Sequence, residues 1–184
     1  MTAGETSIAR LGRPHAKVDV LDLVRLMGHG PTLDRLRATA IAYYEPMAVP
    51  APLRTPEYAE AFGDDPVDHA ALRDRDCVFY LHESAFHLRV GDDRVMAAQR
   101  EALADAPWRV RLVLCEAGAH PCLLRPFEYL EFTDAPPVAY SGGRADVVAG
   151  HRDALAHLDR IALSDHGSRL WFAAGDLGTT RTIH

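Results

Sequence analysis

The apolar positions of this chain fall into helical spacing in its first third and into short, dense runs thereafter. Val20, Leu23, Val24 and Met27 recur at helical intervals over Val18–Met27, and Gly28 ends the pattern. Pro31–Tyr44 reads as a second helix with Leu33, Leu36 and Ala40 turned inward, Pro31 standing where a first-turn proline is tolerated. Pro46, Pro50 and Pro52 then impose an extended connector. Glu57–Phe62, opened by Thr55-Pro56, and Val67–Arg73 read as short helices separated by Gly63-Asp64-Asp65-Pro66.

Beyond residue 75 the pattern changes. Cys77–Leu81 is a compact apolar run expected to be a buried strand, and Val110–Cys115, Phe127–Phe132 and Val138–Tyr140 read as further strands. Asp92–Ala104 carries Val95, Met96, Gln99 and Leu103 on one stripe and predicts an amphipathic helix. Glu116–Leu124 is expected as a loop and Ser141-Gly142-Gly143 as a turn. Val147–Leu163 is expected as a long helix, and Ser164 as the cap of a last one reaching Phe172. Helices first, then a small mixed sheet flanked by helices, make an α+β chain. The expected division is a helical segment at 1–45, an α+β unit at 46–174 and a loose tail at 175–184.

Composition narrows the function. A chain of 184 residues with 48% hydrophobic content supports one real core, and its net charge of -6 offers no basic footprint for nucleic acid. No apolar run is long enough to span a bilayer, and three cysteines cannot all pair. The expectation is a cytoplasmic protein with reduced thiols and no membrane contact. Ten histidines raise the prospect of a polar pocket.

Tyr44-Glu45-Pro46, then Val49-Pro50, Leu53, Thr55 and Glu57-Tyr58-Ala59, resemble the opening of a C-terminal domain. That domain stands behind the helix-turn-helix of actinobacterial Xre-family, WhiJ-like regulators. The likeness runs on through Glu83, Val90-Gly91, Val95-Met96, Gln99, Gly118-Ala119-His120-Pro121, Phe127, Leu130-Glu131-Phe132, Tyr140, Ala162-Leu163-Ser164 and Ser168. It covers roughly residues 8 to 172. It implies an effector or partner-binding module and brings no established catalytic residue. Two departures stand out: Pro50-Ala51-Pro52-Leu53 where the family has Pro-Gly-Leu-Leu, and Gly142 where an acidic residue is usual.

In this light Thr6–Leu11 with Gly12-Arg13-Pro14 reads as the end of a recognition helix whose two bracing helices are missing, so DNA binding is not expected. Ile8, Leu11, Val20, Leu23 and Val24 must still leave water, each forfeiting roughly 1.5–3 kcal/mol if exposed. The segment is therefore expected to fold back as a lid or to pair with a second copy in a homodimer.

The candidate chemistry is sparse. Glu83 and His120 are the best acid–base pair, both placed at or beyond predicted strand ends, with His82 and His87 as alternates. The opposing reading is that they satisfy loop backbone groups. His82-Glu83-x-x-x-His87 spaces its histidines five apart, off one helical face, so no metal is expected there, nor any cofactor. Cys115 and Cys122 bracket His120, but no nucleophile signature surrounds them, and Ser141-Gly142-Gly143-Arg144 is no phosphate loop. Tyr140, Trp171, Phe127 and Tyr44 are the expected ligand-binding aromatics, the first two because their polar tips need partners. Two functions follow. One is a stand-alone domain binding a small molecule or small protein partner. The other is a cofactor-free enzyme of specialised metabolism, cyclising, condensing or isomerising through Glu/His chemistry.

Overall fold

Among the described residues of the computed structural model (31–65, 72 and 74–175), six strands form one mixed sheet. They are β1 (Ala40–Glu45), β2 (Asp76–His82), β3 (Arg109–Val113), β4 (Phe127–Glu131), β5 (Val138–Ser141) and β6 (Arg144–Asp146). Their order is β3-β2-β1-β4-β5-β6; β1, β2 and β3 run parallel, and β4, β5 and β6 continue the other side of β1 antiparallel. The helices are α1 (Pro31–Arg37), α2 (Pro56–Phe62), α3 (Ser84–His87), α4 (Asp93–Ala104), α5 (Val148–Ile161) and α6 (Asp165–Ala173). This is the α+β architecture the pattern predicts. None of the described helices is long and apolar enough to cross a membrane.

The sheet is buried on both faces. Ile41, Tyr43, Phe79, Leu81, Val110 and Leu112 pack with Leu103 of α4 and Phe172 of α6 on one side. Ala42, Tyr44, Tyr80, Val113 and Tyr129 pack with Ala154 and Leu158 of α5 on the other. Local signals work as expected: Thr55, Asp92 and Ser164 cap α2, α4 and α6 by accepting the N–H groups of Tyr58, Val95 and Gly167. Helix α6 also covers the outer edge of β3. The Val110 N–H donates to Asp165 Oδ1 (2.9 Å) and the Leu112 N–H to Ser168 Oγ (2.9 Å), while the Leu112 carbonyl accepts the Leu163 N–H (2.8 Å). An edge so occupied cannot recruit another strand.

The largest correction falls on Pro31–Tyr44. The helix stops at Arg37, and Ala40–Glu45 is the central strand. Ile41 and Tyr43 face one apolar layer and Ala42 and Tyr44 the other, so the run is apolar throughout and carries no two-residue alternation. The expected division after residue 45 thus parts the central strand from its own sheet. Leu33 and Leu36, expected inward, are 44% and 49% exposed; Asp34 is the buried residue of α1, at 6%. Strand β6 was not expected either. Gly142 and Gly143 both take positive φ (57° and 75°) between the paired residues Ser141 and Arg144, a two-residue hairpin turn that only glycine enters freely. The loop expected at Glu116–Leu124 contains two 3-10 turns, Cys115–Ala117 and Pro121–Leu123. The expected helix remnant at Thr6–Leu11, the helices at Val18–Met27 and Val67–Arg73, the lid or dimer contact, and the tail beyond Gly175 lie outside the described residues, Leu72 apart.

Candidate functional site

Register places Tyr43 of β1, Glu128 of β4 and Tyr140 of β5 side by side across three strands. Helix α1 lies over this row. Arg35 donates from Nε and Nη2 to both oxygens of Glu128, at 2.7 and 2.5 Å, and the Tyr140 hydroxyl donates to the Asp34 carboxylate. Arg-to-carboxylate forks of this kind are geometrically specific.

The proline connector closes the opposite side. Gln99 of α4, fully buried, accepts the Thr55 N–H through Oε1 and donates Nε2 to the Leu53 carbonyl, both at 2.8 Å. Arg54 donates to the Val49 carbonyl at 2.7 Å, stands 4.1 Å from the Phe62 ring centroid and pairs with Asp64. A pocket of about 260 Å³ remains between these parts, bounded further by the Gly142-Gly143 turn.

Two groups in its wall matter most. The Tyr43 hydroxyl is buried without a hydrogen-bond partner, its residue only 5% exposed and its ring stacked on Phe79 at 4.7 Å. A buried polar atom left unsatisfied costs of order 1–3 kcal/mol. Glu45, half-buried at the end of β1, is pushed up from the ordinary carboxylate range by burial, with the Met47 N–H and Arg54 offsetting only part of this. Both are titratable groups in a concave setting where Arg35, Arg54 and Glu128 converge beside Pro50 and Pro52, a mixed lining suited to a polar ligand.

The expected ligand-binding residues fall in two places. Tyr44, Phe127 and Tyr140 line this pocket. Of these, only Tyr140 stands on the Tyr43 face; Tyr44, whose hydroxyl donates to the Leu123 carbonyl (2.9 Å), and Phe127 turn their rings into the layer under α5. Trp171 lies elsewhere, against Phe86 at 5.3 Å and under the Arg100 guanidinium. A hollow of about 760 Å³ adjoins Phe86 there, rimmed by exposed charges such as Arg89, Asp93 and Glu101. Solvated charges already have water as a partner, so this hollow gives a ligand less reason to bind.

The four acid–base candidates engage different partners. Glu83 accepts the Cys115 N–H at 2.7 Å and faces His87 at 3.9 Å. His120 stacks on His157 at 4.1 Å, with Nδ1 2.8 Å from Cys122 Sγ. His82 Nδ1 sits 2.6 Å from Ser84 Oγ, which donates to the Pro46 carbonyl. All three thiols are raised above their ordinary value by burial, Cys77 to about 11, so none is an activated nucleophile. The sequence reading did not single out Arg35, Tyr43, Glu45, Arg54, Glu128 or His157 as site residues. Strand register, the placement of helix α1 and the connector's path together bring the first five into one place.

Two histidines set an acid limit on stability. Burial first, then neighbouring His87, lowers His82 despite Glu83; slight burial, His120 and Arg160 lower His157. Both are therefore neutral in the folded protein over a range where the unfolded chain takes up protons. Stability from them is complete above the ordinary histidine value of about 6.5 and is lost as pH falls below it. Urea midpoints should drop between about pH 7.5 and about pH 5.5, a range that brackets that value. His82→Gln should flatten the drop; an unchanged slope would show that other groups set it.

Comparison with known proteins finds a family whose model, described as "Domain of unknown function (DUF5753)", matches residues 36–174. No curated protein matches, and no solved structure does.

Proposed function

The chain belongs to the DUF5753 family, and from that premise we propose that it is a binding domain for a small polar molecule, seated in the pocket over Tyr43, Glu128 and Tyr140. The observation that carries this reading is the partnerless Tyr43 hydroxyl at 5% exposure: a ligand acceptor there would satisfy it. Glu45 would take a donor such as an amine or hydroxyl, and Pro50 and Pro52 of the connector an apolar body. Tyr44 and Glu45, from the motif that resembles the effector half of Xre-family, WhiJ-like regulators, belong to this wall, and an effector-domain origin is part of the reading. Of the two functions open at the outset, the acid–base enzyme draws no support from this geometry, because the Glu83 carboxylate is turned to the Cys115 N–H.

The test is a thermal-shift screen of small polar metabolites on the full chain, with titration calorimetry on any hit. Tyr43→Phe should weaken binding about tenfold, the worth of one hydrogen bond, while leaving unfolding stability unchanged or slightly raised, since no partner is lost. A ligand held equally well by Tyr43→Phe and by Glu45→Gln binds elsewhere, and the proposal fails.

A further inference from the structure

We propose that His120, Cys122 and His157 form a binding site for a borderline-soft divalent metal ion, zinc in the first instance. The site is independent of the pocket's occupant. Beyond β3 the chain turns at Gly118 (φ 80°), and His120 caps the Pro121–Leu123 turn, its Nδ1 accepting the Cys122 N–H at 3.3 Å. His157 projects from α5, its ring stacked on His120 at 24°. One donor atom from each of the three lies within 4.8 Å of the other two.

That spread suits a tetrahedral ion. Zinc bonds of about 2.0–2.1 Å to nitrogen and 2.3 Å to sulfur set neighbouring donors roughly 3.5 Å apart. The present Nδ1–Sγ distance of 2.8 Å must open by about 0.7 Å, and the stacked His120 and His157 rings must rotate about their side-chain bonds so that their in-plane lone pairs converge on the ion. Two imidazoles and a thiol select zinc or copper over magnesium or calcium, which prefer oxygen.

Both arms are anchored. The Tyr44 hydroxyl holds the Leu123 carbonyl, Leu123 is buried, and Leu158 beside His157 is fully buried under the sheet. The Cys122 thiol must lose its proton to solvent as the metal–sulfur bond forms. Arg160 donates toward His157 Nδ1 at 3.2 Å. With a metal on Nε2 the ring proton moves to Nδ1, and Arg160 keeps only its bond to the Ala156 carbonyl (2.9 Å). Three protein donors, of which His120 is exposed and the other two half-buried, leave the fourth position to water, as in open rather than closed zinc sites.

Glu83, His87 and Cys115 form a second group within 4.8 Å with one imidazole and a hard carboxylate donor in place of the second; it serves as the control. The experiment titrates the full chain with Zn2+ against a chromophoric chelator, and with Co2+ to read thiolate-to-metal charge transfer. The proposal expects one tight ion per chain and a charge-transfer band. Cys122→Ser should abolish the band. Cys122→Ser and His157→Gln should each lower affinity at least a hundredfold, more than the 10–100-fold cost of losing an outer-shell partner. Cys115→Ser should change neither reading. Circular dichroism establishes that each variant is folded, a check needed because Cys122 and His157 are half-buried. No binding tighter than that of Cys122→Ser, or a signal lost in Cys115→Ser and kept in Cys122→Ser, overturns the assignment.

Discussion

Phe79→Ala is expected to lower unfolding free energy by about 3–5 kcal/mol, the range for deleting a buried aromatic ring and leaving its cavity. Phe79 is completely buried in the middle of β2, stacked on Tyr43 at 4.7 Å and edge-on to Trp108 at 5.9 Å. Its neighbours on β1 and β3 are held by parallel ladders and cannot close in far, so little of the cavity collapses. The measurement is the urea midpoint with its slope: the midpoint should fall at constant slope. The same change removes the floor beneath Tyr43, so any ligand of the pocket should also be held less tightly. A loss below about 1 kcal/mol would mean that this row of side chains repacks freely, contrary to the close packing described.

Gln99→Leu is the second large effect, at about 2–4 kcal/mol, although it exchanges a polar buried side chain for an apolar one of similar size. The reason is that both of its amide atoms are spoken for: the Thr55 N–H and the Leu53 carbonyl would lose their partners beneath α4, each at roughly 1–3 kcal/mol. Gln99→Glu keeps an acceptor for Thr55 but sets a buried carboxylate against the Leu53 carbonyl, so near neutral pH it should destabilise at least as much as Gln99→Leu. Equilibrium denaturation of the three proteins ranks them. Equal stability of Gln99→Leu and the parent would show that the connector finds other partners. The connector walls the pocket, so Gln99→Leu should also weaken whatever binds there.

Much of the candidate site was within reach of the sequence, and some was passed over. Tyr44, Phe127 and Tyr140 are named from aromatic content and resemblance; all three border one pocket, but the rings of Tyr44 and Phe127 turn to the opposite face of the sheet. The Gly-Gly between Val138–Ser141 and Arg144–Asp146 is itself a hairpin signal, so β6 was legible and missed. Gln99 reads as one more member of a helical stripe; that it faces two backbone groups depends on where the proline connector runs. His157, 37 residues beyond His120, has no spacing rule to join it to the turn at Pro121–Leu123, because the whole β4–β5–β6 meander intervenes.

The division between the two sources of order is physical. Caps, breakers and amphipathic stripes act within a few residues, and so Thr55, Asp92 and Ser164 start helices where hydroxyl and carboxylate chemistry says they must. The α+β class follows in the same way from the change in apolar spacing near residue 75. The identity of Ala40–Glu45 was beyond such rules: a segment apolar on every side satisfies a helix and a central strand alike, and only the strands on its two flanks and the layers above and below choose between them. Once that strand is in place, register alone sets Tyr43 beside Glu128 and Tyr140, and the pocket exists because sheet, helix α1 and connector meet there.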